Sequence, residues 1–404
     1  MSRDRIRALY LQPAPLFGGA ERQAAYAASL WPEFGVDVLP VVGPGQAVVD
    51  WLIERGVKEF AHTEHFPGGW AKLSGLRRVK LPHRYLMCGV RARAQIAELV
   101  ARHEMDLIVA SLPFAWITGT LVAREAGIPI VWRAGGSEIN FVQKYGMWMT
   151  ARVLRPDLLL CVGEAVRRTF SPLIPAPVAV VRNGVDHSLF HPGNGNGKDY
   201  RPRGAECVIG CAERLTLSKR PQDFVALAAL MRDRFPGARF LLAGEGSQRP
   251  WFERMAREAG ADNLEFLGYV SDMPSFYETC DIIVLPSGAE GCPNVVLEAM
   301  AMGKPIIAAG VDAVLELIRH GDNGLVYTLG NIEQFAKLVG ALIGDAEQRE
   351  LLAVQAKKTA QELNARDNAK IVTQLIKQVV TEHRARAEAQ LTVETATPSQ
   401  PVRY

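Results

Sequence analysis

The sequence is organised by one repeated device: a short, continuous apolar run, a loop with glycine or proline, then a helical pattern. Arg7–Leu11 reads as a first buried strand. Pro13, Pro15, Gly18 and Gly19 follow as a loop, and the helical pattern ERQAAYAASLW comes next. Val36–Val42, Asp106–Ser111, Pro129–Trp132, Leu158–Val162 and Val178–Val181 continue the strand series, with a helical pattern over Ile117–Ala126. Runs that stay apolar without alternating come from strands covered by helices on both faces, as in a parallel sheet. The expected fold class is therefore α/β, in doubly wound, Rossmann-like form.

The series is interrupted once. Asn183-Gly184-Val185-Asp186 is a turn signal, and Pro192–Gly204 is rich in Gly, Asn and Pro, which reads as a linker. A second series then begins: strands at Cys207–Cys211, Arg239–Ala243, Leu264–Leu267, Asp281–Pro286 and Pro305–Ala309, with helices at Arg220–Arg234, Trp251–Ala259, Met273–Thr279, Pro293–Met302 and Ile332–Ile343. One long helical pattern runs from Glu347 to about Ala389. The expected division is a first α/β domain over 1–190, a linker over 191–204, a second α/β domain over 205–365, a helix over 366–390 and a disordered tail over 391–404. At roughly 100–200 residues per domain, a 404-residue chain accommodates this. Ligands of open α/β sheets bind beyond the carboxyl ends of the strands, so two such domains facing each other make a cleft.

Net charge is +3, too small to imply nucleic acid, and none is expected as a partner. The distribution is uneven. Residues 1–190 carry 22 Lys+Arg against 16 Asp+Glu, and the remainder 24 against 27, so the first half is the basic one. The excess concentrates in Lys72–Arg102, a basic and partly apolar stretch that can sit on an anionic membrane surface, or equally form a solvated face or the rim of an anionic-substrate site. Six cysteines are scattered without metal-ligand spacing, which fits a reduced, cytoplasmic setting. The N-terminal apolar run is too short for a signal peptide, and no uncharged run is long enough to span a bilayer, so membrane contact is expected to be peripheral, from the inner face.

Three segments carry chemistry. The first is Glu290-Gly-Cys-Pro-Asn-Val-Val-Leu-Glu298, followed by Ala-Met-Ala-Met-Gly-Lys-Pro. Pro293 suits the start of a helix and Gly303 its end. The N–H groups of Asn294, Val295 and Val296 then point at the cleft, an anion site suited to a diphosphate. Glu290 and Glu298 can each accept paired hydroxyl hydrogen bonds from a sugar. From helix geometry alone, a capped amphipathic helix with a surface Glu explains the segment as well. The second segment, Glu213-Arg214-Leu-Thr216-Leu-Ser218-Lys219-Arg220-Pro221, follows the first strand of the second series. Arg214 can grip a phosphate bidentately and Lys219 adds a point charge, which together would stabilise a departing diphosphate. Alone it reads as a basic surface turn. The third, Phe17-Gly18-Gly19-Ala20-Glu21, offers glycines that permit close approach to a ligand. It lacks the third glycine of a dinucleotide fingerprint, no Walker A motif occurs, and no Asp-x-Asp occurs to hold a metal, so no cofactor or metal is expected.

The order F-G-G-A-E, N-G-V-D, E-R-L-x-x-x-K, A-G-E-G, F-L-G-Y-V, then E-G-C-P-N-V-V-L-E-A-M-A-M-G-K-P resembles the retaining glycosyltransferases of family four, which have the GT-B fold of two Rossmann-like domains facing a central cleft. The resemblance spans nearly the whole chain, and the E-x7-E segment with its A-M-A-x-G-x-P tail is its most specific part. It implies metal-independent transfer of a hexose-type sugar from a nucleoside-diphosphate sugar, with retention of configuration, to a glycan or lipid-linked acceptor in cell-surface polysaccharide or glycolipid synthesis. Gly18 and Gly19 would lie against the donor phosphates, Arg214 and Lys219 would bind the diphosphate, and Glu290 would hold hydroxyls of the transferred sugar. The N–H groups of Asn294, Val295 and Val296 would meet the phosphate, Glu298 the ribose, and Gly268 the base. The resemblance also implies that 1–190 is the acceptor-binding domain, that 205–365 binds the nucleotide-sugar, and that the helix over 366–390 crosses back to the first domain.

One loop departs from the family pattern. Where many members carry a His, this chain has Arg133-Ala134-Gly135-Gly136-Ser137-Glu138, so Arg133, Ser137 and Glu138 are the acceptor-side candidates. His187, in the N-G-V-D-H segment, reads as structural. A non-catalytic nucleotide-sugar-binding GT-B protein and a GT-B epimerase or phosphorylase are the alternatives. Retention of Arg214, Lys219, Glu290 and Glu298 together argues against the first.

Overall fold

The computed structural model describes residues 5–12, 18–43, 45–63, 81–136 and 141–396. Two parallel sheets organise them. The first has strands β1 (Ile6–Gln12), β2 (Val36–Val42), β3 (Ala61–His62), β4 (Leu107–Ser111), β5 (Ile130–Ala134), β6 (Leu158–Cys161) and β7 (Val178–Val180), in the spatial order β3-β2-β1-β4-β5-β6-β7. The second has β8 (Cys207–Ala212), β9 (Ala238–Ala243), β10 (Leu264–Gly268), β11 (Ile282–Leu285), β12 (Ile306–Ala309) and β13 (Leu325–Tyr327), in the order β10-β9-β8-β11-β12-β13. Both sheets are doubly wound. Each reverses its strand order once, beside β1 and beside β8, and such switch points open the crevices where ligands bind.

The core strands are buried along their whole length, β4, β5, β6, β8, β11 and β12 without an exposed residue, which is why the sequence shows apolar runs and no alternation. At the amino-terminal edges, buried backbone donors need acceptors. Three aspartates supply them: Asp106 accepts from Arg7 N–H at 2.9 Å, Asp157 from Ile130 N–H at 2.9 Å and Asp281 from Val208 N–H at 2.8 Å. The polar chemistry at that edge is thus structural, and the carboxyl edges are left for ligands.

The helical pattern from Glu347 onward is two helices, Ala346–Gln361 and Ala365–Ala396, rather than one. The break is made by tertiary pairing. Val185 N–H donates to Leu363 O at 2.8 Å and Ala365 N–H to Val185 O at 2.9 Å, so the two segments that pass between the domains run side by side. Gly184 is obligatory at this crossing, since a Cβ there would come within 2.5 Å of the Ala365 backbone. The second helix buries Ala369, Val372, Ile376, Val379 and Val380 in one cluster with Ala8, Tyr10 and Trp31 of the first domain. It is pinned there by Arg384–Asp106 at 2.5 Å and Arg366–Glu33 at 2.7 Å. It continues to Ala396, past the residue at which the sequence suggests a tail. Two short edge strands, β3 and β13, carry no sequence signal long enough to read. Among the described residues, no helix is long and apolar enough to cross a membrane.

Candidate active site

The carboxyl ends of β1, β5, β8 and β11 meet across the cleft. Gly18, extended, precedes the helix Gly19–Leu30. A Cβ on Gly19 would lie 2.7 Å from Asn294 Nδ2, whose N–H donates to Gly19 O at 3.2 Å. Asn294 Oδ1 in turn accepts from Asn183 Nδ2 at 3.0 Å, and Asn183 Oδ1 accepts from Arg133 Nη2 at 2.9 Å. A relay of side chains therefore crosses from β5 through Asn183 to the helix Asn294–Ala301 and back to Gly19. Arg133 is buried in this relay. Ser137 and Glu138 lie outside the described residues. The turn at Asn183-Gly184-Val185-Asp186 thus holds a member of the relay as well as the crossing point, a role that a turn signal alone cannot reveal.

Gly291 packs closely against the first domain. A Cβ there would overlap the Gly135 carbonyl oxygen and stand 2.8 Å from its carbon, and a Cβ on Gly163 would stand 2.8 Å from Gly291 O. The facing helix Glu164–Phe170 is capped from the other domain. Glu316 accepts from the N–H groups of Glu164 at 2.9 Å and Ala165 at 2.5 Å, satisfying donors that every helix start leaves open.

On the second domain, the loops after β8 and β11 are zipped together by Gly288 N–H donating to Ser218 O at 3.0 Å. This fixes Lys219 against Glu290: Nζ to Oε1 is 2.6 Å, with a further bond from Nζ to Ala289 O at 3.2 Å. Both side chains are mostly buried, at 18% and 12% exposure, so the pair is a preorganised element and not a solvent-screened surface bridge. Arg220, next in sequence, takes a left-handed conformation (φ +56°) and grips Asp223 with two bonds at 2.7 and 3.0 Å, which ends the loop and starts the helix Pro221–Arg232. Arg214 is exposed and reaches toward Gly18, 3.9 Å from the point its Cβ would occupy.

The helix at this site begins at Asn294, with Pro293 as its cap and not its first residue. Val296 N–H donates to Pro293 O at 3.1 Å and so is turned into the helix. Asn294, Val295 and Val296 are the first three residues of this helix. Gly268 ends β10 at φ +75°, with the Arg249 guanidinium packed over it and paired to Glu245 and Glu253.

Glu298 is placed differently from its neighbours. It is buried, and Arg22 of the first domain reaches across to it, Nη1 to Oε1 at 2.5 Å, while the Tyr277 hydroxyl donates to Oε2 at 2.8 Å. Burial, and then the carboxylate beside it, push the Tyr277 hydroxyl well above the usual phenol range. Burial works against the charge on Arg22, but Glu298 more than offsets it and Arg22 stays ionised. Arg22 stands one residue beyond the F-G-G-A-E motif, where its chemistry had no sequence partner to reveal it.

Two other carboxyl groups are buried near the cleft. Glu21 accepts from Gln12 Nε2 at 3.0 Å and from the N–H of Gly18; burial pushes its carboxyl up, and those hydrogen bonds and Arg214 pull it back in part. The Glu213 carboxyl oxygens are buried behind Lys219. Burial drives that group well above the carboxylate range, against the pull of Lys219, with Glu290 adding to the rise. Among the described residues, no set of three His, Cys, Asp or Glu side chains comes together as a metal centre.

Comparison with known proteins is consistent with this geometry. The family model for Glycosyltransferase Family 4 matches residues 17–189, and that for Glycosyl transferases group 1 matches residues 206–345. The chain is 26% identical over 302 residues to a GDP-mannose-dependent alpha-(1-6)-phosphatidylinositol monomannoside mannosyltransferase of Mycobacterium tuberculosis, covering 69% of this chain and 77% of that one. It is 26% identical over 362 residues to a D-inositol 3-phosphate glycosyltransferase of Salinispora tropica, covering 80% of this chain and 74% of that one. Among solved structures, Anabaena Alr3699/HepE in complex with UDP and glucose superposes with a TM-score of 0.74 at 19% identity, over 93% of this chain and all of that one. The fold is GT-B. The chain belongs to the family-four glycosyltransferases, and it is a glycosyltransferase.

Proposed function

We propose that the enzyme is a retaining, metal-independent hexosyltransferase that uses a nucleoside-diphosphate sugar and a glycan or lipid-linked acceptor. The observation that carries this reading is the Lys219–Glu290 pair, held at 2.6 Å in the loops that precede the helix Asn294–Ala301, whose first residue meets Gly19 across the cleft. The leaving diphosphate takes Lys219, Arg214 and the N–H groups of Asn294 and Val295. These charges and dipoles meet the negative charge that develops as the anomeric carbon–oxygen bond breaks, the task a divalent cation performs elsewhere. Glu290 accepts hydroxyls of the sugar, Glu298 those of the ribose, Gly18 and Gly19 leave room for the phosphates, and Gly268 borders the base. The acceptor oxygen bonds to the anomeric carbon on the face the leaving group vacates, and its proton passes to the departing phosphate oxygen. Arg133, Ser137 and Glu138 flank the acceptor.

The relatives support the substrate classes. The mycobacterial one is named for GDP-mannose and a phosphatidylinositol mannoside, and the Anabaena protein was solved with UDP and glucose. A role in cell-surface polysaccharide or glycolipid synthesis follows, with the enzyme cytoplasmic and peripheral on an anionic inner membrane face through the basic segment 72–102. Most of that segment lies outside the described residues or has its side chains undescribed. The test is nucleoside diphosphate release from UDP-, GDP- and ADP-sugars, with and without lipid-linked and oligosaccharide acceptors, in the presence and absence of EDTA. Release that depends on one nucleotide class, persists in EDTA and yields the donor's own anomer is expected. Loss of activity in EDTA would end the metal-free reading, and an inverted product the retaining one.

A further inference from the structure

Among the described residues, Arg22 is where the first domain touches the carboxylate assigned to the donor nucleoside, Glu298. Its guanidinium lies 5.3 Å above the Trp51 ring centre and its side chain is 14% exposed. Trp51 is itself held by Arg55, 4.9 Å from the same ring, and Arg55 is fixed by Asp186 at 2.5 Å and by the face of Tyr26 at 4.5 Å. The approach of Arg22 to Glu298 is therefore built by a supported stack and is not a chance reach of a mobile side chain. At the far side, Tyr277 OH holds the other oxygen of Glu298 and packs edge-on against Phe190. Glu298 is thus clamped at both oxygens by groups from two domains. Each carboxylate oxygen has a second lone-pair direction, so a clamped carboxylate can still accept hydroxyl hydrogen bonds, and it accepts them in a fixed orientation.

We propose that Arg22 is a positioning residue for nucleoside recognition: the first domain supplies the cation that orients the Glu298 carboxylate toward the ribose hydroxyls, so that the ribose is read fully only when the two domains are closed. This rests on the assignment of Glu298 to the ribose. Its consequence is that ribose selectivity, although exercised by a residue of the second domain, is set from the first. Arg22 makes no contact with the reacting atoms in this scheme, so its loss changes affinity for the nucleoside more than the rate at saturation.

The experiment measures calorimetric affinity for UDP and for 2′,3′-dideoxy-UDP, with the GDP and ADP pairs run in parallel, on the wild-type protein, Arg22→Gln and Arg22→Lys. The wild type is expected to prefer the ribonucleotide of its base class by roughly 30-fold, the scale of hydrogen bonds to a charged group. Arg22→Gln is expected to bring that ratio within about threefold, and to raise the donor KM while leaving kcat within about threefold. If Arg22→Gln does not fold, Arg22→Lys keeps the charge but neither the flat contact with Trp51 nor the rigid fork, and is expected to lower the ratio about threefold or more. A wild type that does not discriminate at all overturns the assignment of Glu298 to the ribose. A wild type that discriminates, with a folded variant that discriminates equally, overturns the role of Arg22 alone.

Discussion

Two helix starts face each other across the cleft, and they are built for opposite purposes. The helix Gly19–Leu30 carries its own carboxylate: Glu21 sits in the first turn, accepts from Gly18 N–H and Gln12, and is buried there. The helix Asn294–Ala301 has no acid in its first turn. Its nearest carboxylate, Glu290, is tied to Lys219. A helix start favours negative charge near it. The first domain has satisfied that preference internally, and the second has left it for a ligand. On the function proposed above, the difference puts the anion affinity of the cleft in the second domain and leaves Gly18 and Gly19 the steric role of leaving space.

The strongest way to break this comparison is to remove the charges of the second domain. Lys219→Ala and Glu290→Ala should each lower kcat by about 10²–10³-fold, the scale seen when one preorganised group facing developing charge is lost. Steady-state release of nucleoside diphosphate reads the effect, and circular dichroism checks that the fold remains. Activity within threefold of wild type in both variants would remove the pair from the site. A smaller effect is expected from Gly291→Ala. The added methyl overlaps the Gly135 carbonyl, which belongs to the other domain. Holding the loops apart by about 1 Å should cost about 10²-fold in kcat/KM or less. The melting temperature should move little, because each domain's core is untouched.

Glu21→Ala sharpens the comparison from the other side. It removes the acid of a helix's first turn and leaves Gln12 without its buried acceptor, so stability should fall by about 2 kcal/mol, read from urea unfolding. The donor KM should stay within about threefold. If the first helix start were a phosphate site, removing the competing carboxylate would instead tighten donor binding, and a KM about tenfold lower would show it.

Legibility in the sequence followed the same division. The core strands were readable because burial on both faces leaves an uninterrupted apolar run, and Val36–Val42 was bounded at both ends by its own residues. The placement of Glu290 on a loop and of Asn294 and Glu298 on the helix after it was readable because Pro293 and Gly303 mark that helix's ends. What depended on contacts between distant segments was not. The break between the two C-terminal helices is enforced by Val185, far away in sequence, while the local pattern stays helical. Asn183 has the residue type of a turn, and only the meeting of Arg133 and Asn294 makes it part of a relay. Arg22 had no sequence sign of its partner, because an isolated Arg on a helix is ordinarily solvated. The bond from Val296 N–H to Pro293 O likewise belongs to the folded loop and has no mark in the local pattern.

The mildest prediction concerns Glu213, which separates the second domain's structural acid from its working one. Burial raises its carboxyl well above the ordinary range, so the folded protein keeps a proton there that the unfolded chain releases once the pH passes about 4.3. The folded state then binds more protons than the unfolded state, and stability falls as pH rises from that value toward the folded value. Glu213→Gln keeps the shape and carries no titrating proton. It should therefore be more stable than wild type near neutral pH, by about 1 kcal/mol, and lose that advantage as the pH falls through about 4. The measurement is the difference in unfolding free energy between the two proteins at several pH values. A constant difference across the range would mean that Glu213 is ionised in the fold, paired with Lys219. Lys219 would then be shared between two carboxylates, and the contrast between a self-satisfied first domain and an open second one would be weaker than drawn.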